Sequence, residues 1–125
     1  MSVMLALLLM TALLQDAPAN PALGQWEGES ICAVHPSPCH DEHVFYDVNS
    51  IQDGLGVDAY KIVDDKRQFM GSIKCTFDAD KNALSCPVRG KDTWNFEVQG
   101  NSMTGTLTHN GGTYRRVNLN RKEAQ

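Results

Sequence analysis

The sequence predicts a small all-β domain: an antiparallel up-and-down barrel of about eight strands, stapled by disulfides and preceded by a removable leader. Three observations carry this prediction. From Gly24 onward, short runs rich in Val, Ile, Thr, Tyr, Phe and Trp recur, with no amphipathic-helix pattern between them. Turn-forming Asp, Asn and Gly residues separate these runs at short intervals. The 4 cysteines, an even number, all lie in this part of the chain. At 125 residues there is room for one such domain. A sandwich of two smaller sheets is the alternative arrangement.

Val3 to Leu14 reads VMLALLLMTALL, an apolar run without a charge. A membrane-spanning helix needs about 20 apolar residues, so the run is too short to span. Its length suits the apolar segment of a secretory signal. Ala17-Pro18-Ala19 supplies the small residues that a signal peptidase reads, which places cleavage after Ala19. Residues 1–19 are therefore read as a signal peptide and 20–125 as the β-domain. No cysteine directly follows the run, so a lipid anchor is not expected. Export implies a periplasmic or secreted protein, and disulfides persist in such oxidising surroundings.

The strands are expected at Gln25–Val34, His43–Val48, Val57–Val63, Gln68–Phe77, Ala83–Val88, Thr93–Gln99, Ser102–His109 and Thr113–Asn120. The links between them carry turn chemistry: Asp53-Gly54, Asp64-Asp65-Lys66, Asp80-Lys81-Asn82, Arg89-Gly90, Gly100-Asn101 and Asn110-Gly111-Gly112. Links this short join antiparallel neighbours, so the simplest topology is a meander. Period-two alternation then assigns faces. Phe69, Gly71, Ile73, Cys75 and Phe77 share one side of the fourth strand, opposed by Met70, Ser72, Lys74 and Thr76. Leu84, Cys86 and Val88 align in the fifth, Trp94, Phe96 and Val98 in the sixth, and Met103, Gly105 and Leu107 in the seventh. One apolar and one polar face on each strand suits a sheet closed over its own core, and closure removes the strand edges.

A symmetric turn around Asp80-Lys81 sets Phe77 opposite Leu84, Thr76 opposite Ser85 and Cys75 opposite Cys86. Directly opposed residues of a non-hydrogen-bonded pair reach disulfide distance. The favoured pairing is therefore Cys75–Cys86, leaving Cys32–Cys39 to close the loop of His35, Pro36, Ser37 and Pro38.

Gly24-Gln25-Trp26 opens the first strand, and Arg121 follows the last. This arrangement resembles lipocalins and the wider calycin group of β-barrels. The resemblance implies that the Trp26 indole sits at the closed end of the barrel with Arg121 packed across it, a favourable cation–π contact. The likeness runs over nearly the whole mature chain, which is shorter than a typical lipocalin and has no evident helix after the barrel. The chain also resembles small exported bacterial proteins that begin with a Gly-x-Trp-x-Gly strand and carry a Ser-Pro-Cys loop. Here those features are Gly24, Trp26, Gly28 and Ser37-Pro38-Cys39. That second likeness carries no function with it.

The aromatics Trp26, Tyr60, Phe69, Phe77, Trp94 and Phe96 are read as inward-facing. They either fill the barrel, the expectation for a chain this short, or leave a pocket for a small apolar ligand. Trp26, Tyr60, Phe69, Trp94 and Phe96 are the candidate ligand-binding residues. Gly28, Gly71 and Gly105 either mark bends in the wall or leave space inside. The densest polar stretch is HPSPCHDEH, His35 to His43, which holds three of the four histidines. A Pro-braced exposed loop next to one end of the barrel is the first candidate for recognition of a protein partner, through His35, Ser37, His40, Asp41 and His43. Small exported barrels also serve as hydrolase inhibitors, so an inhibitor-like domain using the Cys32–Cys39 loop is the alternative function. A weak metal site through His40 and His43 is a further alternative, although their spacing matches no standard zinc pattern.

Other classes find little support. A formal charge of -4 with scattered cations argues against nucleic acid, which needs a basic face. There is no Gly-x-Ser-x-Gly turn and no phosphate-binding glycine loop, so neither an enzyme nor a cofactor is expected. Adjacent Asp41 and Glu42 point to opposite sides of an extended segment, which is poor for a shared acid–base pair.

Overall fold

A computed structural model describes residues 19–122; the signal peptide expected at 1–19 lies outside the described residues apart from Ala19. Eight antiparallel strands follow in order: β1 (Gly24–Cys32), β2 (Glu42–Ile51), β3 (Gly54–Val63), β4 (Lys66–Asp78), β5 (Ala83–Pro87), β6 (Thr93–Gln99), β7 (Ser102–His109) and β8 (Gly112–Arg121). Each pairs with the next, and β8 returns to β1 to close the barrel. The meander expected from the short links is formed, and the two-sheet sandwich is not. β6 and β7 have the expected bounds, whereas β2 and β3 are longer. Gly54 reads as a turn residue in Asp53-Gly54, and glycine is depleted in strands. The ladder nevertheless runs through Gly56 to Ile51 and Gly54, leaving a tight turn at Gln52 and Asp53.

The turns explain themselves locally. Asp64 and Asp65 have φ of 51° and 61°, and Asn110 and Gly111 have 50° and 79°. Two consecutive positive φ values are what a type I′ two-residue hairpin turn requires, and Asp, Asn and Gly tolerate them best. In the β4–β5 link, Asp78 accepts the amide of Asp80 at 3.0 Å through its carboxylate.

One end of the barrel is plugged. Trp26 is fully buried among Val48, Leu55, Leu84, Val98, Met103 and Leu119. Its Nε1 donates to the Ala22 carbonyl at 2.9 Å, drawing the segment before β1 beneath the barrel, where Ala22 is also fully buried. Arg121 closes the arrangement, with Cζ 4.3 Å from the Trp26 ring. It donates to the carbonyls of Leu23 and Pro21, each at 2.6 Å. Removing each large apolar side chain from water is worth about 1.5–3 kcal/mol. The guanidinium adds a cation–π contact and caps carbonyls that would otherwise be left over the core. The Trp–Arg packing implied by the calycin resemblance is present, in an architecture consistent with a calycin-like fold.

Both expected disulfides are formed, with Cα separations of 6.0 Å for Cys32–Cys39 and 4.2 Å for Cys75–Cys86. The β4–β5 register sets Thr76 opposite Ser85 and Phe77 opposite Leu84, as the symmetric turn requires.

The face assignment fails at Phe69 and at Tyr60. The β3–β4 register passes from Ala59–Gly71 to Tyr60–Phe69, so Met70 is an extra residue on β4. A bulge of this kind reverses the faces of everything beyond it. Phe69 therefore does not continue the inward row of Gly71, Ile73 and Cys75. It stands outside and is 62 % exposed. Tyr60 is outside as well, its ring 5.4 Å from Phe69 and 6.0 Å from Phe45. Together with Arg67, stacked 3.7 Å above the Phe45 ring, it helps cover a small apolar cluster on the outer wall.

Candidate functional site

The far end of the barrel, where β1, β3, β5 and β7 finish, is open. A cavity of about 520 Å³ enters there, lined by Val57, Ala59, Ile73 and Trp94 on its apolar side and by Ser30, Glu42, Tyr46 and Arg115 on its polar side. Its rim is formed by Met70, Gly71, Ser72 and Lys74 of β4, facing Pro87, Val88 and Arg89. The interior is thus neither wholly filled nor wholly hollow: packed at the Trp26 end and open at the other.

Inward positions of adjacent strands build the site. Ser30 pairs across to Glu42, and Tyr46 to Ala59, so these side chains share the inner face. Arg115 enters the same face because it alternates along β8 with the buried Val117 and Leu119. From Nη1 it donates to the Ser30 hydroxyl at 3.0 Å, and from Nη2 to the His40 carbonyl at 3.0 Å. The same Nη2 rests 3.0 Å from Sγ of Cys39, and Glu42 Oε2 lies 4.0 Å from Nη1. One guanidinium therefore ties the Cys32–Cys39 loop to the inner wall. Burial pushes the Tyr46 hydroxyl above its ordinary pKa, with Arg115 opposing and Glu42 reinforcing the shift. It stays neutral, able both to donate and to accept.

The candidate ligand-binding residues divide three ways. Trp94 lines the cavity, stacked on Phe96 with ring centroids 5.3 Å apart. Trp26 and Phe96 are fully buried in the plug and do not line it. Tyr60 and Phe69 lie outside the barrel, Phe69 turned out by the bulge and Tyr60 by alternation with the inward Ala59. The glycines also separate. A Cβ on Gly105 would sit 2.4 Å from the Phe96 ring, so that position makes room for an aromatic of the core. Gly28 accommodates the β8 backbone, with a Cβ there only 1.9 Å from the Asn118 carbonyl oxygen. Gly71 alone of the three lines the cavity.

The loop residues lie beside the cavity mouth. Asp41 accepts the Cys32 amide at 2.8 Å, His35 Nε2 is 3.0 Å from the Cys32 carbonyl, and Ser37 donates to the Val34 carbonyl at 2.7 Å. Each of these bonds is internal to the loop and holds it in one shape. His40 is exposed beside Arg115's anchor. His43 belongs to β2 and faces the outer wall, 2.6 Å from Glu29 and 3.5 Å from Glu27. Among the described residues no three or more His, Cys, Asp or Glu side chains gather to hold a metal, so His40 and His43 have no third ligand to complete a shell.

Sequence reasoning missed Ser30, Glu42, Tyr46 and Arg115. Tyr46 was within reach, since it alternates with Val44 and Val48. Arg115 likewise alternates with Val117 and Leu119, but a cation in a strand reads as outward-facing.

Fold and site define a class: a small eight-stranded up-and-down barrel, plugged at one end and hollow at the other. Two disulfides fit folding in an oxidising, extracytoplasmic compartment. No protein-family model matches this chain, and no curated protein matches its sequence.

Proposed function

We propose that this chain is a binding module that takes a small, largely apolar ligand into the open end of its barrel. The cavity carries the reading. Its volume of about 520 Å³ falls in the range of small-molecule sites, and its pattern of apolar walls with a few convergent polar groups is the usual one. Val57, Ala59, Ile73 and Trp94 would hold the apolar body, while the Tyr46 hydroxyl and Glu42 carboxylate would orient a hydrogen-bonding group. The neutral dye N-phenyl-1-naphthylamine tests this. It should bind saturably with enhanced fluorescence, and Ala59→Phe, which fills the cavity from its wall, should abolish binding without lowering Tm. Dye binding that survives Ala59→Phe would place the ligand elsewhere and defeat the reading.

A second reading rests on the preformed loop. Internal bonds and Arg115 hold Cys32–Cys39 in a single shape, which lowers the entropic cost of presenting His35, Ser37 and His40 to a protein partner. The loop would then act on a secreted hydrolase in the manner of an inhibitor. Activity of a muramidase, a serine protease and a cysteine protease, measured with and without the chain, tests this. Inhibition of one of them should vanish when His35, Ser37 and His40 are all changed to Ala. A panel untouched by the chain removes the reading.

A further inference from the structure

The barrel wall is open between β4 and the end of β5. Of β4, only Thr76, Phe77 and Asp78 are in the ladder to β5, whereas the ladder to β3 extends back to Lys66. The physical reason is local. Cα atoms 4.2 Å apart mark Cys75 and Cys86 as a non-hydrogen-bonded pair, so the next bonded pair would be Lys74 with Pro87. Pro87 has no N–H to donate, and the ladder stops. The other side of β4 agrees. The Cys75 carbonyl faces β3, where a Cβ on Gly54 would lie 2.6 Å from it. By strand alternation, Ser72 and Lys74 then turn their N–H and C=O groups toward the slot.

The slot leads into the cavity, with Ser72 and Lys74 on one lip and Val88 and Arg89 on the other. Apolar side chains are exposed along it: Met70 is 44 % and Val88 37 % accessible. An unpaired strand edge beside apolar surface is a template for an added strand. We propose that the slot is a docking edge for an extended acidic segment of another protein, which pairs with β4 at Ser72 and Lys74.

Charge selects the occupant. Lys66, Lys74 and Arg89 border this edge, and among the described residues none of them has an ion-pair partner. A second copy of the chain is a poor fit, because antiparallel β4–β4 pairing centred on Met70 sets Lys66 opposite Lys74 at both ends. Like charges directly opposite are destabilising. An acidic strand meets the same cations favourably. Its side chains alternate, so apolar residues would turn inward over the slot while carboxylates on the outer face meet Lys74 and Arg89. This docking edge does not require a small molecule in the cavity, whose mouth it shares.

The test uses the mature chain with two synthetic peptides, acetyl-Glu-Val-Glu-Val-Glu-Val-Glu-amide and its lysine counterpart. By fluorescence anisotropy the acidic peptide should bind saturably, less tightly as salt rises, and the lysine peptide should not. Amide exchange followed by NMR should show Ser72 fast in the free chain and slowed at least about tenfold in the complex. Exchanging both lip cations, Lys74→Glu with Arg89→Glu, should weaken the acidic peptide by at least about tenfold. Both side chains are exposed, so the variant should keep its fold, checked by its Tm. The proposal is overturned by no saturable binding, by equal binding of both peptides, or by affinity unchanged in the double variant. It is also overturned by a Ser72 amide already protected in the free chain, as a second copy on the edge would make it.

Discussion

Arg115 Nη1 donates to the hydroxyl of Ser30 at 3.0 Å, joining β8 to β1 inside the barrel between residues 85 positions apart. The same guanidinium reaches the His40 carbonyl, so the inner wall and the disulfide loop share one anchor. Ser30 is 1 % exposed, and Arg115 is the partner its hydroxyl has. Changing Arg115 to Met should cost about 1.5–3 kcal/mol in urea unfolding, the range for hydrogen bonds to a charged group. Arg115→Lys should restore only part, since an ammonium cannot fork to both partners. An unchanged urea midpoint in the Met variant would show that the anchor carries no stability.

The two disulfides should differ in accessibility to reductant. Cys75 and Cys86 are 1 % and 0 % exposed in the core, whereas Cys39 lies in a surface loop. Under native conditions a mild thiol should open Cys32–Cys39 first, with alkylation and mass spectrometry locating the freed sulfurs. Replacing Cys75 and Cys86 with Ala should cost about 2–4 kcal/mol, because the bridge holds the ladder beside Pro87 where backbone pairing ends. Equal rates of reduction for both bridges would contradict this order.

His43 predicts a pH dependence. The hydrogen bond that His43 donates to Glu29 raises the imidazole pKa above its ordinary 6.5, burial opposes the shift, and the Glu29 and Glu27 charges add to it. A folded pKa above the unfolded one means that the contribution is fully present below about 6.5 and is lost as pH rises through the raised value. The side chain is 40 % exposed, so solvent screening keeps the effect below about 1 kcal/mol. An NMR titration should find the His43 midpoint above 6.5, falling back in Glu29→Gln. A midpoint unmoved by that change would dissociate the shift from the pair.

Much of the architecture was legible because local rules and the final fold agree. Strand runs, turn residues and the Cys75–Cys86 register all follow from spacing of a few residues along the chain. The face of Phe69 did not, because the bulge at Met70 is a disagreement between two strands. Nothing in β4 alone announces it. Trp94 was placed correctly as inward, yet its standing at the cavity, unlike that of Phe96 two residues on, depends on how far the plug extends.

By itself, then, the sequence determined an all-β meander of about eight strands and two disulfide pairings, because alternation, turn chemistry and cysteine spacing are local quantities. The Trp26–Arg121 closure was implied only by the calycin resemblance. Tertiary structure alone decided that the barrel is filled at one end and hollow at the other. The register shift at Met70 turns Phe69 out, and the missing N–H of Pro87 leaves β4 unpaired beside the cavity. Each depends on which strand lies alongside which, and at what offset, a relation that exists only once the barrel has closed.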